Sequence, residues 1–170
     1  GTDAIMLSGE TAAGKYPVEA VKTMATIAKR TEETLKYNEL LKKRKIEDVT
    51  VTNAISYATC TTSADLNAKA IISFTTSGHT ARMVSKFRPQ CPIIATTEDE
   101  GVMRRLALVW GVYPVKTSHV GNTDDLFTTS IASAKEKKYL ENGDLVVITA
   151  GVPSGISGTT NLIKVHTIEE

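Results

Sequence analysis

The chain has 170 residues, of which 41% are hydrophobic and 23% are charged, an ordinary composition for one packed globular domain. Twenty Lys and Arg against nineteen Asp and Glu leave a formal net charge of +1, which gives no sequence-wide reason to expect nucleic acid or membrane partners. No apolar run has transmembrane length, and Cys60 and Cys91 form no zinc-ligand pattern, so we expect a reduced, intracellular globule without a metal site.

The first quarter of the chain contains one apolar stretch and one helical pattern. Residues 1–7 predict a short buried strand with no signal peptide before it, which suggests a fragment of a longer protein. Pro17 suits the first turn of a helix, and apolar residues recur at helical spacing from there to about residue 44. The charged stretch 41–48 predicts a linker and a domain boundary.

Beyond the linker, helical and strand patterns alternate. A helix is expected over 49–66, capped by Asp48 or Thr50. Strands are expected over 69–74, 92–96, 112–116 and 145–149, with helices over 79–87, 98–110 and 122–140 between them. This order predicts an α/β fold of three layers, with helices on both faces of a mainly parallel five-stranded sheet. The last strand, 161–168, follows a loop without a helical pattern, so we expect it to be antiparallel at one edge.

The loop after the first of these strands is rich in hydroxyl groups. It consists of Thr75, Thr76, Ser77, Gly78, His79 and Thr80. A helix N-terminus offers unpaired amides and a partial positive charge to a phosphate, and a glycine lets the backbone approach it closely. Since Ser and Thr are also preferred in an ordinary helix cap, this loop alone leaves both interpretations open.

A second loop of similar composition follows the fourth strand. It includes Ser154, Gly155, Ser157, Gly158 and Thr159. In a parallel sheet the two loops leave the same edge, which is where open α/β sheets bind ligands. A hairpin that needs glycines for positive φ remains the alternative, but the pair of loops favours a phosphate site.

Several motifs resemble those of pyruvate kinase. They are TDAIMLSGETA at residues 2–12, GKYP at 14–17, TSGHTAR at 76–82, GDLVVIT at 143–149 and SGTTN at 157–161. The resemblance covers essentially the whole chain. It implies that residues 1–44 are the last strand and helix of a (β/α)8 barrel, and that residues 45–170 are the carboxy-terminal allosteric domain.

The resemblance also implies an activity, which is glycolytic phosphoryl transfer from phosphoenolpyruvate to ADP by a cytoplasmic tetramer with Mg²⁺ and K⁺. The two loops would bind a phosphorylated effector such as a nucleoside monophosphate, ribose 5-phosphate or fructose 1,6-bisphosphate. By match, Ser8 and Glu10 line the edge of the active site. The metal-binding carboxylates and the lysine that stabilises the transferred group would lie upstream, in the remainder of the kinase chain. We therefore expect this chain alone to be inactive and to hold no cofactor.

Two other classes of function remain open. A stand-alone module for phosphorylated ligands would have no use for the SGET segment at residues 8–11, which argues against it. A purely structural role, in assembly through helix surfaces, would predict no ligand at all. Binding of a series of sugar phosphates and nucleotides separates these alternatives.

The preferred effector can also be predicted. Members of the family that respond to fructose 1,6-bisphosphate often have a basic residue in the loop after the third strand. Here that loop has Asp124 and Asp125 and no Lys or Arg after Lys116. Because a second phosphate would lack a cationic partner there, we expect a monophosphate to bind more tightly than the bisphosphate.

Overall fold

A computed structural model describes residues 2–43, 48–119, 122–153 and 158–169 of the chain. Within these ranges the helices are α1 (Gly9–Ala12), α2 (Pro17–Glu33), α3 (Tyr37–Lys43), α4 (Val51–Asp65), α5 (His79–Lys86), α6 (Glu100–Leu106) and α7 (Thr123–Glu136). The strands are β1 (Ala70–Phe74), β2 (Ile93–Thr97), β3 (Val112–Lys116), β4 (Leu145–Gly151) and β5 (Thr160–Thr167). No helix in the described ranges is both long and apolar enough to cross a membrane.

The five strands form one sheet in the order β3-β2-β1-β4-β5. Neighbouring strands are parallel except β4 and β5, which are antiparallel, as predicted for the last strand. Ile72 in β1 lies in register with Ile94 in β2 and Ile148 in β4, and all three are buried. Such continuous apolar runs are typical of parallel strands that helices cover on both faces.

Alternate side chains of the sheet enter two separate cores. Ile72 packs in one core with Leu126 and Phe127 of α7. Ile71, its neighbour in β1, packs in the other core with side chains of α4, α5 and α6, which include Cys60, Val84 and Leu106. The predicted three-layer α/β arrangement is therefore confirmed.

Two helix starts predicted from the sequence have the expected chemistry. Pro17 is the first residue of α2, where its missing amide hydrogen costs nothing. Of the two candidate caps of α4, Thr50 is the one used, because its side chain accepts a hydrogen bond from the Asn53 amide. Asp48 contributes its carbonyl instead, which accepts from the Thr50 amide and from Asn53 Nδ2.

The strand predicted at residues 1–7 is not formed by the described part, residues 2–7, in this chain. Ile5 and Met6 are 58% and 86% exposed, and no strand is formed there. A strand requires a hydrogen-bonded neighbour, and among the described residues the sheet ends at β3 and β5 without this segment.

Three predicted helices are shorter than expected, and the one predicted over 122–140 ends at Glu136. The long helix to residue 44 is interrupted at Thr34, whose hydroxyl and amide both bond to the Thr31 carbonyl, so α2 ends at Glu33 and α3 begins at Tyr37. The helix predicted to reach residue 110 ends at Leu106. The following residues form turns up to Gly111, which has a φ of 65°.

Candidate phosphate-binding site

The two hydroxyl-rich loops lie at the same edge of the sheet. The first connects the end of β1 to the start of α5, and the second follows β4, which pairs in parallel with β1. Gly158 and Thr159 of the second loop are described by the structure. Ser154, Gly155 and Ser157 lie outside the described residues.

Internal hydrogen bonds hold the first loop against the sheet. The Thr75 amide donates to the Thr96 carbonyl of β2 at 3.0 Å, and Thr75 Oγ1 accepts from the Gly78 amide at 2.9 Å. Gly78 has a φ of 84°, in the left-handed region. A Cβ on this glycine would lie 2.8 Å from Arg82 Nη1 and 3.2 Å from Leu106 Cδ2. The loop therefore favours glycine here because of its backbone angle, and a Cβ would also displace the Arg82 guanidinium.

The start of α5 presents the donors that a phosphate requires. The first hydrogen bond of this helix runs from the Arg82 amide to the Gly78 carbonyl at 3.1 Å. The three amides before it, those of residues 79–81, have no acceptor one helical turn earlier within the helix, as at any helix N-terminus. The side chain of Thr76 is exposed, and those of Ser77 and His79 are half-buried. This arrangement suits an anion held by backbone amides and flanked by short polar side chains.

Thr80 was predicted as a side-chain ligand, but its hydroxyl is engaged inside the protein. Thr80 is only 6% exposed, and its Oγ1 lies 2.8 Å from Oγ1 of Thr160, which is fully buried. The hydroxyl of Thr75 is likewise used by the Gly78 amide. The hydroxyls of these two threonines therefore stabilise the loop, whereas the side chain of Thr76 is exposed.

A cation beside the loop was missed as a site residue. Arg82 is exposed on α5, four residues after Gly78, and its Nη2 donates to the Ser77 carbonyl at 3.4 Å. Side chains in a helix tilt towards its N-terminus, so residue i+4 reaches the loop that precedes the helix. The spacing of four residues between Gly78 and Arg82 could therefore have identified Arg82 as a candidate site residue.

The second loop is tied to both neighbouring helices. Thr52 of α4 donates through Oγ1 to the Gly158 carbonyl at 3.0 Å, and the Thr80–Thr160 bond joins the end of the loop to α5. Asn161 accepts from the Val152 amide at 2.9 Å and donates to the Val152 carbonyl at 2.6 Å. The described ends of this loop are therefore fixed beside the start of α5.

Carboxylates line the other side of the first loop. A cavity of about 310 Å³ between the ends of β1 and β2 is lined by Phe74, Thr76, Thr97, Glu98 and Asp99. Glu98 Oε2 lies 2.9 Å from His119 Nδ1, and Asp99 caps α6 by accepting from the Val102 amide. A second anionic group placed on this side would face two acidic side chains.

Ser8 and Glu10 lie at the start of α1. The Ser8 amide donates to Glu10 Oε2 at 3.0 Å, and hydrogen bonds from the backbone amides of Glu10 and Ser8 hold the pKa of this exposed carboxyl below its usual value. Across the described residues, no group of three or more His, Cys, Asp and Glu side chains could hold a metal ion.

Comparison with known proteins gives one consistent result. The family model described as "Pyruvate kinase, alpha/beta domain" matches residues 53–166. The pyruvate kinase of Clostridium acetobutylicum is 52% identical over 170 residues, which cover 99% of this chain and 36% of that protein. The pyruvate kinase of Geobacillus stearothermophilus is 53% identical over 171 residues, which cover 100% of this chain and 29% of that protein.

A solved structure agrees with the sequence comparisons. A crystal structure of a pyruvate kinase from Cryptosporidium parvum superimposes with a TM-score of 0.86 at 34% sequence identity. The match covers 98% of this chain and 33% of that one. The chain therefore spans about a third of the length of the relatives that it matches.

Proposed function

The chain belongs to the pyruvate kinase family, and from this premise we propose that it is the regulatory part of such an enzyme and binds a phosphorylated effector at the start of α5. The observation that carries the proposal is the juxtaposition of two hydroxyl-rich loops at one sheet edge, with a helix N-terminus between them.

The binding mode follows from the donors at this edge. A phosphate group accepts hydrogen bonds from the amides of residues 79–81 and from the side chains of Thr76 and Ser77, and it benefits from the partial positive charge of the helix. The guanidinium of Arg82 supplies a charge-assisted bond on the open side. The described residues of the second loop, Gly158 and Thr159, lie beside the rest of the ligand.

The proposal extends to the organisation of the whole enzyme. Residues 1–44 belong to the end of its catalytic barrel and residues 45–170 form its allosteric domain. The complete protein is a cytoplasmic, glycolytic homo-oligomer that binds ATP and transfers phosphoryl from phosphoenolpyruvate to ADP with Mg²⁺ and K⁺. The family resemblance implies that the residues that hold those ions lie in the remainder of the enzyme.

The isolated chain is expected to have no pyruvate kinase activity. Phosphoryl transfer depends on positioning and on charge neutralisation by metals and cations, and Ser8 and Glu10 alone do not assemble that set. A coupled assay with phosphoenolpyruvate, ADP and Mg²⁺ measures this directly. Formation of pyruvate by the purified chain, lost in Glu10→Ala, contradicts the assignment.

A monophosphate is expected to bind more tightly than fructose 1,6-bisphosphate. The amides and side chains at the start of α5 provide enough hydrogen-bond donors for one phosphate. On the side towards β2, the cavity is lined by the carboxylates of Glu98 and Asp99. Asp125 at the start of α7 adds negative charge in the loop after β3, and the side chain of Asp124 lies outside the described part of the chain. Beyond Lys116, at the end of β3, the sequence of the loop up to Asp125 offers a second phosphate no Lys or Arg.

The test is a thermal-shift titration with ribose 5-phosphate. At about 100 times its dissociation constant, a ligand stabilises the folded state by about 2.7 kcal/mol, which raises Tm by roughly 5–10 °C in a domain of this size. Arg82→Gln is expected to weaken binding about tenfold or more, because it removes a charged hydrogen bond. Arg104→Gln, an exposed arginine of α6 paired with Glu100, is the matched control and leaves binding unchanged.

Three outcomes contradict the proposal. The first is no shift with ribose 5-phosphate at millimolar concentration, which favours a structural role. The second is an equal loss of affinity in Arg82→Gln and Arg104→Gln, which removes the site from α5. The third is tighter binding of fructose 1,6-bisphosphate than of ribose 5-phosphate, which refutes the monophosphate preference alone.

A further inference from the structure

Beyond the other end of α5, a buried arginine contacts the first residues of the chain. Arg88 Nη1 lies 2.8 Å from Asp3 Oδ1, and the same nitrogen donates to Ser85 Oγ at 3.1 Å. The side chain of Arg88 is 10% exposed, whereas that of Asp3 is 54% exposed. This ion pair therefore joins a buried cation to an exposed segment of the chain.

Trp110 completes the cluster. The guanidinium carbon of Arg88 lies 5.1 Å from the centroid of the Trp110 ring, within the range of a cation–π contact. The Trp110 amide donates to Asp3 Oδ1 at 3.3 Å, and its carbonyl accepts from Ser85 Oγ at 2.7 Å. One carboxylate oxygen of Asp3 thus accepts from both the side chain of Arg88 and the backbone that follows α6.

The backbone conformation of Arg88 indicates that contacts of its side chain explain why this position is not a glycine. Arg88 follows the end of α5 with a φ of 53°, in the left-handed region that favours glycine. Lys138 takes the same place after α7 with a φ of 59°, but it is exposed. At Arg88 the ion pair, the hydrogen bonds and the ring contact offset the strain of a non-glycine residue.

We propose that Arg88 is a positioning residue that fixes segment 2–12 to the α/β domain by holding Asp3 against Trp110. Ile5 and Met6 are exposed, so apolar burial does not anchor the beginning of this segment. The segment also contains Ser8 and Glu10. Any effect of its position on catalysis depends on the proposed function, in which these two residues lie at the edge of the active site. The eight residues of α5 place Arg88 about 12 Å along the helix from the candidate phosphate loop.

Trp110 makes the proposal measurable, because it is the single tryptophan of the chain. In Asp3→Asn, the Trp110 amide is expected to exchange its hydrogen about tenfold faster, and acrylamide is expected to quench Trp110 fluorescence more efficiently. Asp3→Glu retains the carboxylate and should restore part of both signals. Glu100→Gln breaks an exposed ion pair elsewhere and serves as the matched control, with neither signal changed.

A second pair of variants separates the side-chain role from the backbone strain. Lys138→Gly relieves the strain at one helix end and should raise the urea midpoint of unfolding. Arg88→Gly relieves the same strain but removes the cluster, so it should lower the midpoint and reproduce the fluorescence change of Asp3→Asn.

The inference is overturned if Asp3→Asn leaves the exchange of the Trp110 amide unchanged, or if Arg88→Gly is as stabilising as Lys138→Gly. If Arg88→Gly does not fold, the Asp3→Asn variant alone tests the inference. Because the side chain of Asp3 is half exposed, that variant is expected to fold. All of these measurements are made without ligand. A failure to bind ribose 5-phosphate therefore counts against the proposed function and leaves this test intact.

Discussion

Gly78→Ala is expected to lower the free energy of unfolding by about 1–3 kcal/mol and to weaken ribose 5-phosphate binding at least tenfold. The φ of 84° is unfavourable for alanine, and the added Cβ would lie 3.2 Å from Leu106 Cδ2 and 2.8 Å from Arg82 Nη1. The Arg82 guanidinium must move aside to relieve the shorter contact, and the unfavourable φ favours a change of the loop backbone. Both effects disturb the groups that we propose bind the phosphate. Urea unfolding and calorimetric titration measure the two effects.

Gly143→Ala is the matched control for this prediction. Gly143 has a φ of 89°, but a Cβ there would meet nothing within 4 Å. This variant therefore reports backbone strain without crowding, and its affinity for ribose 5-phosphate should equal that of the wild type. Equal affinity in Gly78→Ala and the wild type would place the ligand elsewhere.

Thr80→Val is expected to destabilise the protein by about 1–3 kcal/mol, because it leaves the buried Thr160 hydroxyl without its partner. Valine has nearly the same shape as threonine, so packing changes little. Affinity for ribose 5-phosphate should fall by less than tenfold, since the amide of residue 80 is retained. Chemical denaturation with calorimetry measures both quantities.

The double variant Thr80→Val/Thr160→Val provides the control. Replacing both hydroxyls by methyl groups of the same shape removes the unsatisfied group, so most of the lost stability should return. Strictly additive losses in the two single variants and the double variant would show that the two hydroxyls act independently. A large loss of affinity in Thr80→Val would instead make its hydroxyl a direct ligand.

The sheet could be predicted because its signals are local and repeated. Apolar runs bounded by turn residues marked β1, β2 and β4, and the lack of a helical pattern before β5 indicated its antiparallel direction. The shared edge of the two loops then followed from topology alone. These inferences require no knowledge of side-chain packing.

The errors arose where tertiary context decides. Residues 2–7 have a strand-like composition but no neighbouring strand among the described residues. The hydroxyls of Thr31 and Thr34 donate to backbone carbonyls at the end of α2. The helix ends there although the apolar periodicity of the sequence continues. Within the site, composition grouped Thr80 with Thr76, and only the structure distinguishes the buried hydroxyl from the exposed one.

The most direct test of phosphate binding at the start of α5 is an amide ¹H–¹⁵N spectrum recorded during titration with ribose 5-phosphate. We expect the largest shifts at the amides of residues 76–81, with smaller shifts at residues 158–160 and little change at Trp110. Largest shifts around Trp110 and Tyr113, at the opposite edge of the sheet, would contradict it.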